Sequence, residues 1–287
     1  MTLRLGTRVF GPGEFAVMAI VNRTPDSFYD RGATFDFDSA LRRVDEVAAD
    51  GADIIDIGGV RAGHGPTVPE AEEIGRTVDL VAAARDRHPD LVVSVDTYRA
   101  GVAEAACRAG AQLINEPWAG ADPDVAAVAA RWGAGLVCSH TGGLAPRTEP
   151  HRVTYRDVVA DVVATTTELA EKAVAAGVRR DGILVDPTHD FGKNTRHSLE
   201  LTRRLDEVVA TGWPVLVSLS RKDFVGETLS LPAAARLPGT LAATAVSAWA
   251  GARVFRAHDV VETRQVLDMV AAIQGSRPPR SPRRGLM

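Results

Sequence analysis

Apolar residues along the chain alternate between two rhythms. Short β-branched runs recur as FAVMAIVN (15–22), ADIIDIGG (52–59), LVVSVDT (91–97), QLINEP (112–117), GLVCSH (135–140), ILVDPT (183–188), PVLVSLS (214–220) and VFRAH (254–258). Each precedes a longer stretch in which apolar residues return with helical period. SALRRVDEVAADG and PEAEEIGRTVDLVAAARDRHP are clear examples, the first ending at a glycine suited to a left-handed cap and the second at a proline that stops the helix. The remaining helices are expected in RAGVAEAACRAG, PDVAAVAARWG, YRDVVADVVATTTELAEKAVAAG, HSLELTRRLDEVVATG, GTLAATAVSAWAGA and VVETRQVLDMVAAIQG.

Strand–helix units repeated in this way predict a (β/α)8 TIM barrel as a single domain over 1–274, with an open doubly wound sheet as the alternative. TLRLGTRVF reads as a short N-terminal hairpin covering the barrel bottom, and 275–287, with tandem prolines and several arginines, as a flexible basic tail. In a barrel the chemistry belongs where strands end. Those ends carry Asn22, Asp56, Asp96, Asn115 with Glu116, His140, Asp186, Ser220 with Arg221 and Lys222, and Arg256 with His258. A single polar strand end is as often a turn former as a ligand, but all of these would converge on one mouth.

Composition narrows the partners. A formal net charge of -4 gives no electrostatic reason to expect nucleic acid or membrane. No segment approaches the length of an apolar membrane span and the N-terminus lacks a signal-peptide run, so a cytoplasmic protein is expected. Cys107 and Cys138 lie outside any CxxC spacing and read as reduced core thiols. At the mouth, Asp96, Asn115 and Asp186 offer acceptors and an amide suited to the N–H edge of a flat heterocycle such as a 2-aminopyrimidinone. Lys222, Arg256 and His258 offer positive charge suited to an anion.

These segments resemble a known family. IVNRTPDSFYDRG (20–32), SVDT (94–97), IN (114–115), DP followed by FGK (186–193), SRK (220–222), GTLAAT (239–244) and RAHDV (256–260) are similar, in order, to the signature segments of dihydropteroate synthase. The resemblance implies the same barrel, and a transferase that joins 6-hydroxymethyl-7,8-dihydropterin diphosphate to the aryl amine 4-aminobenzoate, releasing diphosphate. It implies that Asp96, Asn115, Asp186, Phe191 and Lys222 hold the pterin. Asn22, Arg256 and His258 would hold diphosphate, with Asn22 on Mg²⁺, and Arg61, outside the family's position, is a further candidate for that anion. Lys222, Arg256 and His258 would be the catalytic groups, acting electrostatically as the C–O bond to diphosphate breaks. A homodimer, as is usual in the family, is expected.

Departures from the family pattern are concentrated at the second-substrate side. GGVRAGHG (58–65) stands where the family has Gly-Gly-Glu-Ser-Thr-Arg-Pro-Gly, so the loop arginine falls on Gly63, while Arg61 lies two positions away. Thr188 and Asp190 replace glycines, Glu116 replaces an aspartate, and Ser218 replaces a glycine beside the expected pterin plane. The loop resembles that of second, paralogous copies of the enzyme in actinobacteria, some of which lack the standard activity. Three readings follow: a synthase weakened or altered at the second substrate, a pterin-binding barrel outside folate synthesis, and a methyltetrahydrofolate–corrinoid methyltransferase, against which NRTPDSF and SRK argue. Asn22 in place of a His-x-His pair disfavours a metallohydrolase. His140 reads equally as a substrate contact or a strand-end residue, His189 and Asp190 as a capping turn, and the four tryptophans as packing.

Overall fold

The computed structural model describes residues 2–24, 34–61, 63, 65–148 and 153–284. Most of the expected IVNRTPDSFYDRG segment and positions 62 and 64 of the glycine-rich loop therefore lie outside the described residues.

Eight parallel strands form one sheet. They are β3 (Ala16–Asn22), β4 (Ile54–Gly58), β5 (Val92–Asp96), β6 (Leu113–Glu116), β7 (Gly135–Ser139), β8 (Ile183–Asp186), β9 (Leu216–Ser218) and β10 (Val254–Ala257). Their order is β8-β7-β6-β5-β4-β3-β10-β9, and a parallel bridge between Val185 and Val215 joins the two outer strands, closing the barrel. The open doubly wound alternative is excluded by that closure. Each expected strand is present within its apolar run.

The helices are α1 (Phe37–Ala49), α2 (Glu70–Arg87), α3 (Ala100–Arg108), α4 (Val125–Trp132), α5 (Val158–Ala175), α6 (Thr195–Arg203), α7 (Leu205–Val209), α8 (Asp223–Leu229), α9 (Leu237–Trp249) and α10 (Val260–Ile273). Two features differ from the sequence expectation. The sixth helical stretch breaks at Arg204 into α6 and α7, and the short α8, directly after the SRK segment, was not foreseen. Gly51 follows α1 with φ of 91°, as its capping position demands. No helix among the described residues is long and apolar enough to cross a membrane.

Alternation along the strands divides the protein into layers. Outward residues such as Val17, Ile55, Val93, Ile114, Val185 and Phe255 pack with the helices in one core. Inward residues Met18, Ile54, Val92, Leu113, Val137, Leu184, Leu216 and Val254 form a second core with Leu3, Leu5 and Phe10. Those last three belong to β1 (Leu3–Leu5) and β2 (Arg8–Phe10), an antiparallel pair that plugs the bottom as expected. Two residues further along, about 6.6 Å higher, the inward positions become Ile20, Asp56, Ser94, Asn115, Ser139, Asp186, Ser218 and Arg256, polar on every strand but β3. The barrel interior thus changes from hydrocarbon to largely polar in one step, and this layer is the floor of the site.

Cys107 and Cys138 are free and buried, and burial pushes both thiols up to about 12. Beyond α10 the tail carries no helix or strand through residue 284, and Arg277 and Arg280 both pair with Asp268.

Candidate active site

A cleft of about 360 Å³ opens at the C-terminal ends of the strands. Among the residues expected from the sequence, Asn22, Arg61, Asp96, Phe191, Lys222, Arg256 and His258 line it directly. Asn115 and Asp186 lie just beneath, each 5% exposed. The glycine at the end of β4 makes the crowding possible, because a Cβ at Gly58 would lie 3.0 Å from Asn22 Oδ1 and 3.7 Å from Asp96 Cβ.

The centre of the floor is Asp56, fully buried in the middle of an apolar strand. Its carboxylate accepts from Ser94 Oγ at 2.7 Å, Asn115 Nδ2 at 2.9 Å and Arg256 Nε at 2.6 Å. Arg256 Nη2 donates onward to Asp96 Oδ2 at 2.8 Å. Burial works against the Arg256 charge, but Asp56 and Asp96 outweigh it and raise its pKa. Burial pushes Asp96 up to about 7, with Asp56 adding to the shift and Arg256 opposing it. In the sequence Asp56 reads only as a strand end, with no part in the site. The signal available was an aspartate inside the run IIDIG, which no half-buried strand would carry without a partner.

On the opposite side, Lys222 donates to the carbonyl of His189, and its ammonium lies 4.9 Å from the centre of the Phe191 ring. Burial lowers its pKa, opposed chiefly by Asp190 and Asp186. Asp186 is raised by burial, against Lys222 and the amide of Thr188, which donates to Asp186 Oδ1 at 2.7 Å. His258 Nδ1 lies 2.9 Å from Ser220 Oγ at the mouth.

The turn that carries Phe191 is unusual in its backbone. Thr188 has φ of 53° and Asp190 φ of 67°, left-handed conformations that cost a non-glycine residue roughly 1–2 kcal/mol each. Lys193, 1% exposed, holds this turn from below. Its Nζ contacts the carbonyls of Phe191 at 2.9 Å, His140 at 3.1 Å and Thr188 at 3.2 Å, and His140 Nδ1 at 2.7 Å. Burial and the adjacent Lys193 lower His140 to about 4, so it is neutral, and its Nε2 faces Asp161 at 2.7 Å. His140 therefore braces the turn and does not reach the cleft.

The other strand-end and turn residues take different places. Glu116 points outward, accepting from the amides of Trp118 at 2.8 Å and Gly120 at 2.6 Å. Arg221 is buried against Asp259, with Nη2 2.8 Å from Oδ1, and supports the mouth from outside. His189 bonds Thr202, whereas Asp190 lines the cleft and accepts from Ser198 Oγ at 3.0 Å. Trp118 is no mere packing residue, since it lines the cleft with its ring 5.5 Å from Phe191. Trp132 and Trp249 are exposed.

Comparison with known proteins agrees with this geometry. A model of pterin binding enzymes matches residues 18–258. A Mycobacterium leprae protein named inactive dihydropteroate synthase 2 is 61% identical over 274 residues, 94% of each chain. The Clostridium beijerinckii dihydropteroate synthase is 38% identical over 276 residues, covering 94% of this chain and 99% of that one. The structure of Yersinia pestis dihydropteroate synthase in complex with a sulfonamide drug superposes with a TM-score of 0.90 at 34% identity, covering 96% of this chain and all of the other. The chain belongs to the dihydropteroate synthase family of pterin-binding enzymes.

Proposed function

We propose that the cleft binds a pterin diphosphate and that its second-substrate end has been rebuilt, leaving dihydropteroate synthase chemistry weak. The observation that carries this reading is the Arg256–Asp96 ion pair above Asp56, which unites a carboxylate suited to a ring N–H edge with a guanidinium suited to diphosphate. Asp96, with Asn115 and Asp186 beneath, would accept from and orient the ring. Phe191 would pack on its face and Lys222 would donate to its carbonyl side. Arg256 and His258 would take up charge as diphosphate departs, leaving a cation-like methylene for attack by an amine, with no protein nucleophile.

Mg²⁺ fits only as a companion of diphosphate. Among the described residues no cluster of His, Cys, Asp and Glu could hold a metal, and Asn22 offers one neutral amide oxygen. Phosphate oxygens and water would complete the shell. Bound there, the ion would supply positive charge to the leaving group.

The second-substrate end differs from the family pattern at Gly63, which lines the cleft without a side chain. Poor 4-aminobenzoate and sulfonamide binding follows from that loss. The name of the M. leprae relative favours a second reading, a pterin-binding barrel with no synthase turnover. We further propose a cytoplasmic homodimer formed through α9 and α10, where Val246, Trp249, Met269 and Ile273 are 52%, 60%, 61% and 60% exposed. Calorimetry with the pterin diphosphate, coupled to an assay of diphosphate release with 4-aminobenzoate, separates the two readings.

A further inference from the structure

On the helix side of the barrel, α4 and α5 leave a cavity of about 250 Å³ between them. Its walls are Val125 and Ala126 of α4, Leu169 and Ala173 of α5, and Leu136 of β7. The gap follows from the small residues on α4. Ala126 and Ala130, four apart, share one helix face. At Ala130 the chain after α5 fits closely, since a Cβ at Gly177 would lie 3.4 Å from Ala130 Cβ. One turn earlier, Ala126 meets the cavity instead. An apolar cavity of about 150 Å³ holds one benzene, so this one has room for a single ring with a short substituent.

One end of this cavity carries negative charge. Glu116 lines it and is itself only 3% exposed. Its carboxylate accepts from the amides of Trp118 at 2.8 Å and Gly120 at 2.6 Å, which uses two of its roughly four lone-pair sites. Among the described residues no basic side chain pairs with it. Lys172, also on the wall, is paired with Glu168 at 2.7 Å. Asp122 directs its oxygens to the amides of Ala100 at 2.8 Å and Asp124 at 3.1 Å. A buried carboxylate without a counter-charge is costly. Burial pushes Glu116 up to about 7, with the two amides opposing the shift and Asp122 adding to it. The turn that wraps this carboxylate is left-handed at Ala119, with φ of 55°, and at Gly120, with φ of 75°, and it presents Trp118 to the main cleft.

We propose that the cavity between α4 and α5 is a second ligand site, separate from the main cleft, for a small organic ammonium whose single ring lies against Leu136 and Leu169 and whose protonated amine meets Glu116. The amine supplies the counter-charge that the protein does not, and the ring fills a space walled by hydrocarbon. A carboxylate or phosphate in the same place would face Glu116 and Asp122 and be repelled. Because one carboxylate serves both the ammonium and the amides of Trp118 and Gly120, the bound cation keeps it ionised and steadies the turn. The site is thereby coupled to the main cleft through Trp118.

The full-length protein is titrated in a calorimeter, near neutral pH, with benzylamine and with benzyl alcohol, its neutral counterpart of similar size. Wild type should prefer the amine by about tenfold or more. Glu116→Gln should remove that preference, and Ala126→Leu, which fills the cavity and leaves the carboxylate in place, should weaken both ligands. A wild type that binds neither, or both equally, would overturn the proposal. So would undiminished benzylamine binding in Ala126→Leu, a result that decides the matter even where Glu116→Gln does not fold. 6-Hydroxymethylpterin is then titrated with and without benzylamine, and each ligand should tighten the other by about fivefold. This last arm rests on the pterin reading of the main cleft. No pterin binding at all defeats that reading, and the benzylamine titrations then decide the second site by themselves. Mutual exclusion of the two ligands would place the amine in the main cleft and overturn the proposal, and binding of both without mutual effect would overturn the coupling.

Discussion

Arg256 Nη2 lies 2.8 Å from Asp96 Oδ2, so the guanidinium expected at the diphosphate end and the carboxylate expected at the ring end form one ion pair. A ligand that occupies both ends must share these partners. Its ring donors take lone pairs of Asp96 while its anion draws on Arg256, which Asp56 continues to hold at 2.6 Å.

Asp96→Asn removes the charge that accepts from the ring edge, and pterin affinity should fall tenfold or more, since a hydrogen bond to a charged group is worth ~1.5–3 kcal/mol. Wild-type affinity should also depend on pH. Burial pushes Asp96 up to about 7, and only its ionised form is a full acceptor, so binding should strengthen as pH rises through that value. The Asn variant should lack this rise. Calorimetry at several pH values checks both, and an unchanged affinity in the variant would remove Asp96 from the site.

Asp56→Ala should destabilise the fold by about 3–5 kcal/mol, because it leaves the Arg256 guanidinium and the donors of Ser94 and Asn115 without their buried acceptor. Denaturant unfolding measures this directly. A loss below ~1 kcal/mol would mean that water or another group satisfies the floor.

Gly63→Arg combined with His64→Pro should raise synthase turnover. Gly63 is not in a left-handed conformation, and the nearest atoms to an added Cβ belong to the flexible end of Arg61, so the Gly63 substitution by itself should alter stability by no more than ~0.5 kcal/mol. A folded variant with no gain in diphosphate release would move the defect to Thr188, Asp190 and Ser218.

Trp249→Glu should convert a dimer to a monomer. Val246 and Trp249, three apart on α9, and Met269 and Ile273, four apart on α10, each share one helix face, and a charge in that apolar patch opposes burial. Light scattering on the eluting protein reports the mass. A monomeric wild type would remove the interface.

The barrel was legible because its signals are periodic. Strand–helix alternation needs only local apolar spacing, and every strand lies inside its expected run. Site residues at strand ends were legible for the same reason, since a barrel brings Asn22, Asp96, Lys222, Arg256 and His258 to one mouth whatever its sequence details. What escaped depends on which way a side chain turns and what it meets. Asp56 became the hub because strand alternation points it inward toward Arg256, 200 positions away in the chain. Glu116, one residue past the inward Asn115, turns outward and accepts from amides of the loop that follows β6, the loop contact its sequence suggests. Arg147 belongs to a stretch without periodicity, and its link to Gly63 joins two loops that no local pattern connects. Thr188 and Asp190 were read as departures from glycine, and their left-handed backbone has that physical origin, with Lys193 as the support that the sequence did not reveal.

The proposed function requires a pterin end that is kept and a second-substrate end that is rebuilt. One sample of purified protein, titrated with 6-hydroxymethyl-7,8-dihydropterin diphosphate and then supplied with 4-aminobenzoate and Mg²⁺, tests it most directly. Saturable binding of the diphosphate is expected, with release at least about 100-fold slower than the ~1 s⁻¹ of an ordinary slow enzyme. Turnover at ~1 s⁻¹ or faster, or no binding at all, would contradict it.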